Sequence, residues 1–348
     1  MIKETAMSLY DLHTALADAD LAARLPYSFD PTEPLEPQRK RADRLFRSLI
    51  GWDKMPVPSD APDVTVEFTE DADPRFTEIR FTFESEPGFR VPAHMLIPKA
   101  PSRLERGGKL PVMICLQGHS TGMHISIGRA KFPGDEETIA GGRDFALQAV
   151  ARGYIAIAME QRGLGELKHG MGCLLPASQA LMIGRTLLGE RIYDITRLID
   201  AIENGLSDAA DPARIYLMGN SGGGTATWHS AAIEHRLTAV MPSCAFNLYR
   251  RSIYAMDHCI CNHIPHILEY MEMPDLAMLS APTPVVIVCG REDPIFPLDG
   301  VEEGFRTVQA VYAAAGVPDS CRLVIGPAGH RFYPDEAWPV FEELTAGL

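Results

Sequence analysis

The segment RIYLMGNSGGG, residues 214–224, constrains this chain more than any other stretch. It opens with a short apolar run, residues 215–218, which is typical of a buried parallel strand, and a helix can follow over residues 225–233. Between them, residues 219–223 fit the GxSxG turn that holds a nucleophilic serine between a strand and a helix. Glycines flank such a serine because the strained turn leaves no room for side chains. We therefore predict that Ser221 is a nucleophile at the carboxyl edge of a sheet.

Two other structures could produce the same glycine-rich pattern. One is a plain turn between a strand and a helix, and the other is a phosphate cradle at a helix N-terminus. No GK[ST] sequence follows the turn, which disfavours a nucleotide-binding P-loop. The nucleophile interpretation is the one that the surrounding strand and helix favour.

Strand-like and helix-like segments alternate along most of the chain. Apolar strand-like runs lie at residues 112–116, 154–159, 237–241, 284–289 and 322–325, and helical patterns lie at residues 143–152, 179–204 and 300–315. Alternating patterns at residues 64–83 and 88–98 predict an antiparallel start to the sheet. The alternation as a whole predicts an α/β fold, with a mostly parallel central sheet and helices on both faces.

The N-terminal part has a different pattern. Residues 5–24 have the rhythm of an amphipathic helix, a proline-rich connector spans residues 25–37, and a second helix is expected at residues 38–50. We interpret residues 1–62 as a helical arm with a linker and residues 63–348 as one catalytic domain, since 348 residues with 46% hydrophobic content can bury a large core. The arm is either a cap, a contact between copies in a homo-oligomer, or a plain docked appendage.

The acidic composition limits the classes of partner. A net charge of -14 and a pI near 5.2 argue against nucleic-acid and anionic-membrane partners, which an acidic surface repels. No apolar run approaches about 18 residues, and the first residues carry acids where a signal peptide has an apolar core, which predicts a cytoplasmic protein. Cys115 and Cys289 are among seven cysteines and lie in apolar runs, which favours reduced core thiols over a disulfide framework.

A serine nucleophile needs a histidine to accept its proton and a carboxylate to orient that histidine. In an open α/β sheet these partners are expected just after the ends of later strands. The run at 284–289 leads into GREDP, and the run at 322–325 leads into GPAGHRF. We predict His330 as the base and Asp293 as its carboxylate, with Glu292 in reserve. The non-catalytic alternatives are an exposed loop histidine and a turn-forming aspartate before proline.

Acyl transfer also requires two backbone donors for the oxyanion of the tetrahedral intermediate. The amide of Gly222, directly after the serine, is one expected donor. The other is expected in the loop after residues 112–116, where Gly118 lets the chain turn and the amide of His119 can face the site.

The motifs VMICLQGH, RGYIAIAMEQRGLGE, DPARIYLMGNSGGG, GREDPIFP and GPAGHRF, in this order, resemble those of the α/β-hydrolase superfamily. Within that superfamily the chain is similar to bacterial dienelactone hydrolases and acetyl xylan esterase-like proteins. The resemblance covers residues 88–348 and implies an α/β-hydrolase fold. It also implies the same triad, Ser221, His330 and Asp293, and the same pair of oxyanion amides, in the nucleophile–acid–histidine order of the superfamily.

The chain departs from these relatives at two positions. Dienelactone hydrolases use a cysteine nucleophile and this chain has Ser221, so lactone specificity is not implied. Gln117 stands where such proteins often have histidine. The segment RGLGE is similar to the RGQG segment of acetyl xylan and cephalosporin esterases, and that similarity implies structural roles for Arg162 and Glu166.

Substrate specificity is expected from the segments that overhang the strand ends. These are the loop at residues 120–142 and an aromatic and Met-rich segment at residues 246–278, which is interpreted as a lid or a pocket wall. Gln117, Tyr249 and Tyr254 are the candidate substrate contacts. The alternative for the second segment is internal packing without any ligand contact.

Histidine and cysteine side chains are concentrated near the middle of that segment. They are His258, Cys259, Cys261, His263 and His266. Both residue types are good zinc ligands, but this spacing matches no paired zinc knuckle. A serine triad needs no metal-activated water. The sequence therefore predicts no metal site and no cofactor.

The function that these patterns favour is a serine carboxylic-ester hydrolase acting on acetylated or other small-molecule esters through an acyl-enzyme. An amidase, a peptidase or a carbon–carbon bond hydrolase would use the same triad, and the fold does not decide between them. A non-catalytic ligand-binding protein with the same fold is the alternative of a different class.

Overall fold

A nine-stranded sheet runs through the part of the chain that the structure, a computed structural model, describes, namely residues 25–58, 60–102 and 104–348. The strands are β1 (Val64–Glu70), β2 (Phe76–Glu86), β3 (Phe89–Pro98), β4 (Leu110–Leu116), β5 (Ile155–Met159), β6 (Ala210–Asn220), β7 (Leu237–Ser243), β8 (Val285–Gly290) and β9 (Cys321–Gly326). Their spatial order is β1-β2-β3-β5-β4-β6-β7-β8-β9. The neighbours from β1 to β5 pair antiparallel and those from β5 to β9 pair parallel. The predicted antiparallel start and mostly parallel core are confirmed.

Helices cover both faces of the sheet. They are α1 (Leu35–Leu49), α2 (Asp135–Thr138), α3 (Phe145–Ala151), α4 (Leu174–Met182), α5 (Leu187–Glu203), α6 (Gly222–Ala231), α7 (Ala277–Ser280), α8 (Leu298–Ala314) and α9 (Pro334–Thr345). Alternate residues of a strand enter different cores: Val112 of β4 packs in the core with α1, α5, α6 and α8, while Met113 packs in the core with α3 and α9. Because the central strands are buried on both faces, their sequences are continuous apolar runs.

The prediction of a single long helix at residues 179–204 is wrong. The chain forms two helices there, α4 and α5, which are separated by a turn. Gly184 in that turn has a φ of 76°, a left-handed conformation that interrupts a right-handed helix. Thr186 then caps α5, because its side-chain oxygen accepts a hydrogen bond of 2.9 Å from the amide of Gly189.

The last helix, α9, was not predicted from the sequence. It begins with Pro334 at its first turn, where a missing amide proton costs nothing, and it contains a second proline, Pro339. Trp338 and Phe341 of this helix are buried in the core beneath the sheet. Between β7 and α7 the chain forms turns and four short 3-10 helices, Tyr249–Arg251, Ile260–Asn262, Ile267–Glu269 and Met273–Leu276.

Helix α1 docks on the domain rather than standing apart from it. Phe46 is fully buried, and the Arg39 guanidinium donates to the carbonyl oxygens of Met278 and Ala281 at 2.6 and 2.9 Å. The helix predicted at residues 5–24 lies outside the described residues, so a contact between copies through the arm stays a prediction. None of the described helices combines the length and apolar character needed to cross a membrane.

Candidate active site

Ser221 occupies a sharp turn between β6 and α6. Its φ of 56° and ψ of -124° lie in a region that non-glycine residues rarely adopt. A Cβ atom at Gly219 would lie 2.5 Å from the carbonyl oxygen of Gly223, and one at Gly223 would lie 2.4 Å from the carbonyl oxygen of Leu116. Both flanking positions therefore exclude a side chain, as the GxSxG pattern predicts.

Asp293 and His330 follow β8 and β9 and meet at the carboxyl edge of the sheet. Asp293 Oδ2 lies 2.8 Å from His330 Nδ1. Asp293 is buried, whereas the reserve candidate Glu292 is exposed. The ring of Phe296 stacks on the imidazole at a centroid distance of 5.9 Å and an interplanar angle of 16°. The structure thus brings together the predicted base and the first-choice carboxylate.

The pKa of the Asp293 carboxyl is lowered. Burial raises this pKa, but the hydrogen bond and charge of His330 and the amides of Ile295 and Phe296 lower it by more. The carboxylate is therefore ionised near neutral pH. An ionised carboxylate only accepts hydrogen bonds, so Nδ1 of His330 carries the proton of this contact.

Cys244 directly follows β7, and its Sγ donates to the carbonyl oxygen of Arg331, next to His330, at 3.1 Å. The amide of Ser221 donates to the carbonyl oxygen of the adjacent Ser243 at 2.8 Å. The Sγ of Cys244, a ring nitrogen of His330 and a carboxylate oxygen of Asp293 all lie within 4.8 Å of one another. Within the described part of the chain, the Ser221 hydroxyl forms no hydrogen bond, and nucleophile–base contacts are often loose without substrate.

The loop after β4 packs directly against the elbow. A Cβ atom at Gly118 would lie 2.7 Å from the Cβ of Ser221 and 3.0 Å from the amide nitrogen of Gly222. Neither this amide nor that of His119 donates a hydrogen bond to another described group. The loop glycine thus permits the close approach that two converging oxyanion donors require.

A cavity of about 770 Å³ opens beside His119. Its walls include Cys173 and Leu174 at the start of α4, and His258 and Cys259 from segment 246–278. This segment therefore forms part of a cavity wall, and its role as a lid or wall of the substrate pocket stays a prediction. From the loop at residues 120–142, which was also expected to overhang the strand ends, Ser120 lines the cavity.

None of the three candidate substrate contacts borders this cavity. Gln117 is buried behind the loop, where its amide nitrogen donates to Ser126 Oγ at 2.8 Å and to the carbonyl oxygen of Arg143 at 2.6 Å. Tyr249 is buried in the core, and its hydroxyl lies 2.6 Å from Nε2 of His229. Both side chains thus form hydrogen bonds inside the protein, and a substrate contact by either of them stays a prediction.

Tyr254 and Tyr249 line a second cavity, of about 320 Å³, together with residues such as Ile253 and Met256. Neither Ser221 nor His330 borders this space. A role for Tyr254 in substrate binding stays a prediction.

Arg162 and Glu166 of the RGLGE segment form ion pairs inside the fold. Arg162 is buried and pairs with Asp194 at 2.7 Å and Glu86 at 2.7 Å. Glu166 pairs with Arg80 at 2.5 Å. These contacts agree with the structural roles that the family resemblance implied.

The structure also joins residues that sequence reasoning did not connect. Nε2 of His119 lies 3.3 Å from Sγ of Cys261 and 3.6 Å from Sγ of Cys173, and Cys261 Sγ lies 3.1 Å from Cys259 Sγ. His258, His263 and His266, which sequence analysis grouped with Cys259 and Cys261, are not part of this cluster. The members come from three segments far apart in the chain, so no local spacing could have revealed them.

Three comparisons relate the chain to known proteins. A model of the acetyl xylan esterase (AXE1) family matches residues 60–272. YtaP of Bacillus subtilis (strain 168), which is described as a hydrolase, is 26% identical over 189 residues, or 53% of this chain and 62% of the relative. The chain thus spans 62% of the length of this curated relative.

Solved structures share the fold at low identity. A candidate acetyl xylan esterase from Bacteroides fragilis NCTC 9343 has a TM-score of 0.69 and 17% identity, covering 93% of this chain and 84% of that one. A glucuronoyl esterase from Solibacter usitatus has a TM-score of 0.67 and 16% identity, covering 89% and 91%. These similarities confirm the α/β-hydrolase fold predicted from the motifs. Because the family model matches more than half of its residues, this chain belongs to the acetyl xylan esterase (AXE1) family, a family of carboxylesterase-type hydrolases.

Proposed function

We propose that the chain hydrolyses carboxylic esters of small molecules through an acyl-enzyme on Ser221. The observation that carries this proposal is the contact of 2.8 Å between Asp293 and His330, together with a serine held in a strained elbow at the same edge of the sheet. A nucleophile, a base and a carboxylate that orients the base are the combination that acyl transfer needs.

In the acylation step, the Ser221 oxygen attacks the ester carbonyl while Nε2 of His330 accepts the hydroxyl proton. Asp293 holds the imidazole through Nδ1 and stabilises the imidazolium that forms. The same proton then passes to the departing alcohol. Water, deprotonated by His330, attacks the acyl-enzyme in turn and releases the acid.

The oxyanion of each tetrahedral intermediate would lie between the amides of Gly222 and His119. The Gly222 amide is at the N-terminus of α6, where backbone donors lack helical partners and the helix dipole favours negative charge. The other amide belongs to the loop that Gly118 lets approach the elbow. Two such donors lower the barrier to acyl transfer by several kcal/mol.

The alcohol part of the substrate is proposed to be a sugar or another small polyol. The names of two similar proteins, an acetyl xylan esterase and a glucuronoyl esterase, support an ester of a carbohydrate. The cavity of about 770 Å³ beside His119 has room for a group of that size. A short acyl chain is expected, because the family is that of acetyl esterases.

Covalent labelling tests the nucleophile directly. A fluorophosphonate should add one label to the intact wild-type chain and none to Ser221→Ala, while Ser178→Ala, which alters a half-buried serine of α4, should label like the wild type. A series of p-nitrophenyl esters, followed by acetylated xylose, then ranks acyl length and alcohol. A folded wild-type protein that takes no label, or a Ser221→Ala variant that labels normally, would contradict the proposal.

A further inference from the structure

His119, Cys173, Cys259 and Cys261 form a compact set of potential metal ligands beside the elbow. One nitrogen of the histidine and the three sulfur atoms all lie within 4.8 Å of one another. Cys173 and Cys261 are buried, whereas His119 is exposed to the neighbouring cavity. The set thus has a protected interior and a path by which an ion can reach it.

The spacing of these atoms suits tetrahedral zinc. Zinc lies about 2.3 Å from cysteine sulfur and about 2.0 to 2.1 Å from histidine nitrogen, so ligand atoms of a tetrahedron are roughly 3.5 to 3.8 Å apart. Nε2 of His119 lies 3.6 Å from Cys173 Sγ and 3.3 Å from Cys261 Sγ, and the sulfurs of Cys259 and Cys261 are 3.1 Å apart. Small outward movements of the two closest sulfurs would complete the geometry.

A buried cation next to the cluster provides an independent argument. Arg191 is 1% exposed and donates to the carbonyl oxygen of Arg162 and, at 3.2 Å, to Cys173 Sγ. No carboxylate among the described residues pairs with Arg191. An unpaired charge in the interior is costly, and three thiolates around a divalent cation carry one net negative charge. The guanidinium would neutralise such a site.

We propose that His119, Cys173, Cys259 and Cys261 bind one Zn²⁺ in a four-coordinate structural site. All four positions of the ion are filled by protein ligands, so it would not activate water. The inference does not rest on the proposed ester hydrolysis, and it departs from the sequence-based expectation that the chain binds no metal.

A bound zinc ion would link three segments that line the cavity. These are the loop after β4, the start of α4 and the segment 246–278, whose Cys259 and Cys261 would be its anchors. Coordination through Nε2 leaves the proton of His119 on Nδ1, which lies 3.2 Å from where a Cβ atom of Gly222 would be. The ion would therefore also hold the loop that carries the proposed oxyanion amide.

Metal content and cobalt binding test the site without any activity assay. Tag-free wild-type protein purified under reducing conditions is expected to contain about one zinc per chain by elemental analysis. After chelation, titration with Co²⁺ should produce thiolate-to-cobalt charge-transfer absorption, which zinc then abolishes. Reduced protein that contains no zinc and shows no such absorption with Co²⁺ would overturn the proposal.

Cysteine variants then locate the ligands. Cys173→Ser and Cys261→Ser should each weaken zinc binding by at least about tenfold and reduce the cobalt absorption. Cys321→Ser is the matched control, since this buried cysteine lies at the start of β9, away from the cluster. Equal zinc affinity in the cluster variants and the control would overturn the assignment of ligands.

Alkylation of the intact protein provides a readout that does not depend on how variants fold. In the zinc-loaded protein, Cys173, Cys259 and Cys261 should resist iodoacetamide, and all three should react after chelation, as peptide mapping would show. Cys321 should react equally in both states. Alkylation of the three cluster cysteines at the same rate with and without chelator, or a disulfide among them in freshly reduced protein, would also refute the site.

Discussion

The carboxylate of Asp293 contacts Nδ1 of His330 at 2.8 Å through Oδ2, while its other oxygen accepts the amides of Ile295 and Phe296 at 2.9 and 3.2 Å. The carboxylate is thus fixed by the backbone on one side and presents its second oxygen to the imidazole. Since its pKa is lowered in spite of burial, it stays ionised and keeps the histidine proton on Nδ1. Nε2 is then free to accept a proton.

Asp293→Asn should preserve the fold and lower kcat by about 10⁴-fold, the loss known for the corresponding substitution in chymotrypsin-like proteases. The amide can hold the ring, but it can donate to Nδ1 and so place the imidazole proton on Nε2, the wrong nitrogen for a base. Steady-state kinetics with a p-nitrophenyl ester measures this change, and circular dichroism checks the fold.

Glu292→Gln is the matched control for that experiment, because it makes the same chemical change at the neighbouring, exposed position. It should leave kcat close to the wild-type value. A large loss in Glu292→Gln together with normal turnover in Asp293→Asn would show that the carboxylate of the triad has been assigned to the wrong residue.

Gly223→Ala should destabilise the elbow by about 1 to 3 kcal/mol and remove most activity. The added Cβ atom would lie 2.4 Å from the carbonyl oxygen of Leu116 and 2.8 Å from that of Gln117, so the turn and the oxyanion loop must separate. Gly141→Ala is the control, since a Cβ atom there meets nothing within 4 Å. Thermal unfolding and ester hydrolysis of both variants test this, and wild-type behaviour of Gly223→Ala would contradict it.

Most of the sheet could be predicted because its central strands are buried on both faces. Runs such as the one in β8 are continuously apolar, and each ends at a glycine or a polar turn. The break between α4 and α5 was missed because the apolar rhythm continues across Gly184, and only its left-handed conformation ends the first helix. The helix α9 was missed because its prolines weaken the helical signal.

The site residues also differ in how far the sequence reveals them. Some follow local sequence patterns, and others meet only in the tertiary fold. Ser221, Asp293 and His330 could be proposed because each follows a recognisable strand, and parallel strands end at one edge. The role of Tyr249 could not be fixed from the sequence, because an aromatic residue in the core and one that lines a ligand pocket have the same sequence signal. The thiol cluster was missed because Cys173 and Cys261 meet only through the tertiary fold.

Tyr249→Phe should reduce the free energy of unfolding by about 1 to 3 kcal/mol while kcat/KM of the folded enzyme stays unchanged. The hydroxyl is the partner of Nε2 of His229 at 2.6 Å, and its removal leaves a buried nitrogen without a hydrogen bond. Urea unfolding and ester kinetics separate the two effects. A large change in KM with unaltered stability would instead support the substrate contact that the sequence suggested.

The burial of His229 also predicts how the free energy of unfolding depends on pH. His229 is fully buried, its Nδ1 lies 2.7 Å from the carbonyl oxygen of Thr225, and burial lowers its pKa to about 4 in the folded protein. In the unfolded chain the pKa is about 6.5, so between these values the unfolded state binds a proton that the folded state does not. The unfolding free energy should therefore fall as the pH decreases from about 6.5 to about 4, by roughly 3 kcal/mol from this group.

His229→Gln should lose this part of the pH dependence, because glutamine has no proton to bind in that range. His235→Gln, at an exposed position, should keep the dependence of the wild type. Urea unfolding of the three proteins at pH 7 and pH 4.5 measures the difference in slope. If His229→Gln and the wild type lose stability equally over this range, the histidine is not held neutral by burial, and the acid sensitivity of the fold must arise from its buried carboxylates.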